Sequence, residues 1–267
     1  MEKERWFLLG DIHGKPEAIR NFYEKNKERL QLDTGNNHII LLGDVGANYA
    51  LQGQQDARFK KALSKYPFTY VCLRGNHEAR VQKVMEMHPE KWEAKKKYGG
   101  EIYVEKKFPR IEYLSDGPAV YEFDGYKTFS LPGAYSVDKW YRLNHGWAWF
   151  EDEQLSEEEM NTGRKIKEVE QEFDLVISHT CPISYEPRDL FLPYINQETV
   201  DKRMEQYLGE IEEGLSYKRW AFGHFHADRL YPRKDGRQIL MLFNRNMVDL
   251  QKFMHMTEND GLQDILA

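Results

Sequence analysis

Cysteine is nearly missing from this chain: its 267 residues include two, Cys72 and Cys181. A disulfide framework is thereby excluded, and a reducing cytoplasm is the expected compartment. Long apolar runs are missing as well. No stretch is long enough to span a bilayer, and the charged start Met1-Glu-Lys-Glu-Arg5 leads straight into a short apolar segment rather than a secretory signal. Nor does one sign of charge dominate, because 38 basic residues face 44 acidic ones for a formal net charge of −6. That balance argues against a broad membrane-binding surface and disfavours nucleic acid as a partner, leaving room only for a local basic patch. Internal repeats, low-complexity tracts and a convincing linker are also lacking. With 40% apolar and 31% charged residues, the expectation is a single domain over 1–267 that buries a full core.

What is present begins with alternation. Trp6-Phe7-Leu8-Leu9 predicts a strand over 5–9. Pro16 suits the first turn of a helix whose Ala18, Ile19, Phe22, Tyr23 and Leu30 form an approximate apolar stripe. A strand at 38–42, a helix at about 54–64 and a strand at 68–73 follow, and this order predicts mostly parallel strands with right-handed crossovers. Residues 82–100 are charged and read as helical up to Gly99-Gly100. Short β-like pieces from Ile102 to Leu131 then include a hairpin signal at Asp124-Gly125. The stretch at about 82–150 reads as a cap or insert. Ser156 with Glu159 forms a capping box for a helix over 157–172, with Ile166, Val169 and Phe173 facing inward. A helix over about 199–213 carries Val200, Met204, Tyr207, Leu208 and Ile211 on one side, and Gly214 can end it. Strands at 218–222, 228–232 and 238–243 complete the series.

Five short motifs stand out against this background: Gly10-Asp11-Ile12-His13-Gly14, Gly43-Asp44-Val45-Gly46, Gly75-Asn76-His77-Glu78, Ser178-His179-Thr180 and Gly223-His224-Phe225-His226. Most follow apolar, strand-like runs, so their ligand-type side chains are expected to converge on one sheet edge, where α/β proteins place their sites. Asp11 and His13 are separated by one residue, as are His224 and His226, so each pair can point to one side of an extended turn. Asp44 stands alone after its strand, which suits a carboxylate shared by two ions, and Asn76 adds a neutral oxygen. Carboxylate, imidazole and carboxamide together suit divalent manganese, iron or zinc, with magnesium less suited to imidazole. Two such cations would leave the site net positive, attract phosphate and lower the pKa of a water held between them. Cys181, two residues after His179, is read as a small side chain lining the site floor rather than a ligand. His38, His88, His145 and His255 fall outside the motifs and are read as ordinary surface or core residues.

Taken together, the five motifs resemble those of the calcineurin-like metallophosphoesterases, and the match extends from residue 10 to residue 226. The resemblance implies an α/β fold, a four-layer α/β/β/α sandwich of two mixed β-sheets flanked by helices. It also implies a dinuclear centre, with manganese the first choice of metal. Asp11, His13 and His226 would hold one ion, Asn76, His179 and His224 the other, and Asp44 would bridge them. His77 matches the catalytic histidine that protonates the leaving oxygen or stabilises the transition state, while a metal-bridging hydroxide attacks phosphorus in line. Where protein phosphatases of this superfamily follow the bridging aspartate with Asp-Arg-Gly, this chain has Val45-Gly46-Ala47-Asn48 after Asp44, so the partner acid and the phosphate-gripping arginine are missing.

Phosphate binding must therefore fall to other residues. Arg142 is the leading candidate, because Gly133-Ala-Tyr-Ser-Val-Asp-Lys139 just before it resembles a segment of small bacterial and phage metallophosphoesterases. Asn48 and Arg74 are weaker candidates. The aromatic group Trp140, Tyr141, Trp147, Trp149 and Phe150 has two readings, packing of a cap or a stacking wall for a nucleobase or aryl group. The function expected is hydrolysis of a small phosphomonoester, phosphodiester or nucleotide. A nuclease or nucleic-acid end-processing phosphatase is one alternative, and a non-catalytic binding scaffold on the same fold is the other.

Overall fold

The apolar runs of the first third become β1 (Arg5–Leu9), β2 (Asn37–Leu41) and β3 (Phe68–Cys72), which lie side by side in parallel. Helices α1 (Glu17–Asn26) and α2 (Gln54–Leu63) make the crossovers between them. These strands are apolar on both faces because both faces are covered. Trp6, Leu8, Ile40 and Leu42 point inward, and Phe7, Leu9, Ile39 and Leu41 point to the helices. The computed structural model describes residues 4–34, 36–49, 53–233 and 235–267.

The chain next forms α3 (Val81–Met87), β4 (Trp92–Lys97), β5 (Gly100–Glu105), β6 (Ile111–Tyr113), β7 (Ala119–Phe123) and β8 (Tyr126–Leu131). After α4 (Lys139–Asn144) and α5 (Glu157–Glu170) come β9 (Glu172–Ser178), α6 (Arg203–Glu212), β10 (Ser216–Phe222), β11 (Arg229–Pro232) and β12 (Gln238–Met241). The short β13 (Val248–Asp249) and α7 (Leu250–His255) follow. One sheet has seven strands in the order β13-β1-β2-β3-β6-β5-β4, and the other has six in the order β11-β12-β10-β9-β8-β7. Both are mixed, with parallel centres and antiparallel margins.

Three buried clusters fill the three gaps of a four-layer α/β/β/α sandwich. Between the sheets, Leu8, Ile40 and Val71 meet Leu175, Ile177 and Leu240. Ile19, Phe22, Phe59 and Leu63 cover the outer face of the first sheet. Met160, Met204, Tyr207, Leu208 and Ile211 cover Phe129, Val176, Trp220 and Phe222 on the second. At one edge the two sheets touch directly, for Gly10 N–H donates to Phe243 O at 3.3 Å and Asp11 pairs with Phe243.

Several expectations need correction. The charged stretch 82–100 is helical only over α3. Trp92 is buried beneath Lys60, and β4 pairs with β5 through a two-residue turn in which Tyr98 and Gly99 both have positive φ. Its lysines belong to an exposed sheet margin, where charge blocks further strand pairing. The region at 82–150 is no separate cap over most of its length, because β4 to β8 are built into the two sheets. Helix α5 stops at Glu170, with Gln171 left-handed at φ 49°. Val169, on the face of α5 opposite buried Met160, is 79% exposed, and Phe173 reaches the core from β9 instead. Val200 precedes α6 rather than belonging to it.

The Ser156–Glu159 capping box is formed: Glu159 N–H donates to Ser156 Oγ at 3.3 Å, and Ser156 N–H donates to Glu159 Oε2 at 2.8 Å. Ser156→Ala should cost about 1 kcal/mol and Ser156→Gly only a few tenths. Denaturant midpoints at unchanged slope would check this, and an unchanged midpoint for Ser156→Ala would show that the cap adds nothing.

Candidate metal centre

The candidate ligands follow the C-terminal ends of central strands: Asp11 and His13 after β1, Asp44 after β2, Asn76 after β3, His179 after β9, and His224 and His226 after β10. Parallel neighbours deliver their loops to the same edge, so residues far apart in sequence meet there. Hydrogen bonds lock the loops together. His13 N–H donates to Asp44 O at 2.8 Å, Gly14 N–H to Val45 O at 2.9 Å, and His224 N–H to Asp11 Oδ2 at 2.9 Å. His13, Asp44, His224 and His226 are all left-handed, with φ of 45°, 46°, 70° and 55°. Each such non-glycine residue costs about 1–3 kcal/mol, and concentration of that strain in four ligand-type residues marks a functional site.

Within the cluster, Nε2 of His13 and Nε2 of His226 face each other at 2.9 Å. His179 is fully buried; its Nδ1–H donates to Leu42 O at 2.7 Å, which turns Nε2 toward Asn76 Oδ1 at 2.9 Å. The amide of Asn76 is itself held, since Nδ2 donates to Ser136 Oγ at 2.8 Å and Ser136 Oγ donates to Glu153 Oε2 at 2.5 Å. A ring nitrogen and a carboxamide oxygen this close can serve as neighbouring ligands of one cation once His179 gives up its proton. Asp44 lies centrally, with Oδ2 3.9 Å from His13 Nε2 and 3.7 Å from His77 Nε2, and Oδ1 3.5 Å from His179 Nε2. Asp11 also approaches His179, at 3.7 Å, so the close-set groups Asp11–His13–His226 and Asp11–Asp44–His179 share Asp11. The ring of His224 lies 5.1 Å from that of His179.

Electrostatics agree with this donor set. Burial and the neighbouring Asp44 raise Asp11 to about 7, although His179 pulls the other way. Burial also works against a charge on Asp44, yet the imidazoles of His77 and His179 hold its carboxyl well below the usual range. Among the described residues no lysine or arginine pairs with either carboxylate. His179 takes that part: burial opposes its protonation, but Asp44 and Asp11 raise it to about 9. Burial lowers His13 to about 4 and His224 well below its ordinary value, leaving neutral imidazoles of the kind metals bind. The residues present therefore fit divalent cations.

Two glycines make the close approach feasible. A Cβ on Gly43 would sit 2.1 Å from His179 Nδ1, and one on Gly75 would sit 2.1 Å from Asp44 Oδ1. Any larger residue would displace the ligand above it.

His77 N–H donates to Asp44 Oδ1 at 2.9 Å, and Arg142 Nη2 meets His77 Nε2 at 3.2 Å. Arg142 is buried and pinned, its Nε donating to Asp138 Oδ2 at 2.8 Å and its Nη1 to Tyr49 Oη at 3.3 Å. Burial lowers the His77 pKa, so the ring is neutral and accepts from the guanidinium. Where the family's phosphatases place an acid beside this histidine, the chain places an arginine backed by an acid.

Asn48 and Arg74 lie elsewhere. The Asn48 carbonyl oxygen accepts from Lys60 Nζ at 3.3 Å. Arg74 ties Glu153 O at 2.8 Å to Asp116 O at 3.2 Å, a strut behind the site. The aromatic group is divided: Phe150 packs on the outer core, Trp149 lies under Lys139 Nζ at 3.8 Å, and Trp140, Tyr141 and Trp147 are exposed. None of them lines the cleft that contains Asp44, His77 and His224. Cys181 is buried and unpaired in the outer core of the second sheet.

Sequence reasoning missed the supports: Ser136, Glu153, Asp138, Tyr49 and Glu78. Buried Glu78 accepts from Gly46 N–H at 2.8 Å and Gly75 N–H at 3.3 Å, joining two motif loops. Its place in the third motif was the available signal.

The profile described as calcineurin-like phosphoesterase matches residues 5–228. No curated protein sequence matches the chain at a significant level. Among solved structures, TT1561 of Thermus thermophilus superposes with a TM-score of 0.53 at 12% identity, covering 93% of this chain and 96% of that one, and shows the same fold. Weaker likenesses are the phosphopantetheinyl hydrolase from Mycobacterium tuberculosis, at TM-score 0.44 and 12% identity over 91% of each chain, and a dimetal phosphatase from Danio rerio. The latter has TM-score 0.42 and 10% identity, covering 92% of this chain and 95% of that one. With a family match over most of its length and a donor set suited to divalent metal, the chain belongs to the calcineurin-like phosphoesterases, metal-dependent hydrolases of phosphoric esters.

Proposed function

We propose that the protein is a dinuclear phosphoesterase that hydrolyses a small phosphomonoester or phosphodiester, acts in the cytoplasm and uses manganese by preference. The central place of Asp44 carries this reading: its buried carboxylate reaches both the His13 side and the His179 side of the cluster. Asp11, His13 and His226 would hold one cation, Asn76, His179 and His224 the other, with Asp44 shared. When bound, the cations supply positive charge for the phosphoryl oxygens and a water acidic enough to act as nucleophile near neutral pH.

The chain's own residues supply the rest. Arg142, held by Asp138 and Tyr49, presents a fixed cation beside His77 and is placed to orient a phosphoryl oxygen. His77 lies between that guanidinium and Asp44; once protonated, it can stabilise charge on the crowded phosphoryl group and pass that proton to the leaving oxygen. The unpaired, buried thiols of Cys72 and Cys181 support the reducing compartment.

Asp44→Ala should abolish hydrolysis and sharply lower bound metal measured by elemental analysis; two ions with full turnover would refute the shared carboxylate. His77→Ala should keep its metal yet lose about ten- to a hundredfold in kcat. An unchanged kcat on an ester with a poor leaving group would remove His77 from the chemistry. Gly43→Ala should act through His179, lowering metal occupancy in a folded protein, and full occupancy would show that the imidazole can move aside at no cost.

A further inference from the structure

The cleft over the candidate metal centre has two unlike sides. It encloses about 480 Å³, within the ~300–1,000 Å³ usual for small-molecule sites and far more than a phosphate group needs. Asp44, Asn76, His77, His224 and His226 form one side. A second, apolar part of the lining comes from Leu190, Phe191, Leu192, Ile195 and Val200 of the connection between β9 and α6, together with Phe225. Phe191 stacks on Phe225 with centroids 6.4 Å apart. Leu190 and Leu192 remain 39% and 44% exposed. Of the ten exposed large hydrophobic residues described, eight fall at 137–147 or 190–194, and both segments contribute to this cleft through Val137, Leu190 and Leu192. The three that line the cleft, Val137, Leu190 and Leu192, leave apolar surface open beside the candidate metal centre, as a binding site does.

Charge narrows the occupant further. Among the described residues the lining includes no lysine or arginine, and beyond the metal side it carries the acids Asp138, Glu186 and Glu205. An amine beside the wall is already engaged: Lys202 Nζ bonds both oxygens of Glu186 at 2.9 Å and lies 5.0 Å from the Phe191 ring centroid. Nothing in the cleft would welcome a second phosphate.

Building on the phosphoesterase reading, we propose that the substrate is an ester of a single phosphate with an extended apolar, uncharged group, which lies along the Leu190–Val200 wall while the phosphate faces the metals. Nucleoside polyphosphates and nucleic acid are disfavoured by the same surface.

Calorimetric binding of ethyl-, butyl- and octylphosphonate to the manganese-loaded protein tests this without turnover. Affinity should rise at least about tenfold from ethyl to octyl, because each methylene laid on the wall leaves water. Octane-1,8-diyl bisphosphonate should lose most of that gain, and Leu190→Ser with Leu192→Ser should reduce the octyl-to-ethyl ratio severalfold. Equal affinity along the series, or tighter binding of the bisphosphonate, would overturn the proposal. Hydrolysis of ethyl and phenyl phosphate, followed in parallel, separates the two ideas. Turnover with flat chain-length dependence removes the apolar wall alone. Chain-length-dependent binding without turnover removes the catalytic reading and leaves the wall standing.

Discussion

Two carboxylates buried side by side govern this molecule. Asp11 and Asp44 lie where two sheets meet, removed from water, and among the described residues no arginine or lysine balances them. Burying an unpaired ion costs several kcal/mol, and here two like charges share the cost. Positive charge placed between them relieves it, and in the chain alone His179, raised by Asp44 and Asp11 against the effect of burial, supplies part of that charge. The left-handed backbone of four ligand-type residues adds to the expense. Net stabilities of about 5–15 kcal/mol leave little room for an uncompensated centre of this kind. Cations that bind the folded chain but not the unfolded one would therefore stabilise the fold as well as arm the site.

The same constraint explains the company around His77. An acid beside this histidine would add a third carboxylate to a crowded edge and favour the charged ring. Arg142 has the opposite effect, and its own charge is balanced outside the cluster by Asp138. The helix α4 that carries Arg142 is thus part of the site, although it belongs to neither sheet. The chain thus has Val45-Gly46-Ala47-Asn48 after Asp44, with no acid to meet His77, and brings Arg142 to that ring from α4 instead.

The sequence revealed the central strands because burial on both faces leaves nearly continuous apolar runs, and it revealed the ligand-type residues because each follows such a strand directly. Side chains whose partners are distant in sequence were not legible. Nothing near Ser136 announces Glu153, and nothing near Asn48 announces that Lys60 will claim it. Local composition misled at β4, where Glu, Ala and Lys favour a helix but Trp92 and the Tyr98-Gly99 turn impose a strand. Val169 failed for a different reason: it lies within α5 nine residues after buried Met160, which at about 3.6 residues per turn puts it on the opposite face. Two-residue β13 and six-residue α7 are too short to show any period.

Chemistry and recognition are built from different parts of the chain. The ligand-type residues sit at the ends of strands held from both sides by the cores, which fixes their geometry and lets them bear backbone strain. The apolar wall comes from the connection between β9 and α6, where the backbone makes only brief 3-10 turns. A change of leucine to serine there touches no ligand-type residue, whereas a change at Gly43 or Gly75 meets His179 or Asp44 directly. Substrate preference can thus shift through the connection while the metal chemistry stays constant, which is how one scaffold comes to serve many phosphoric esters.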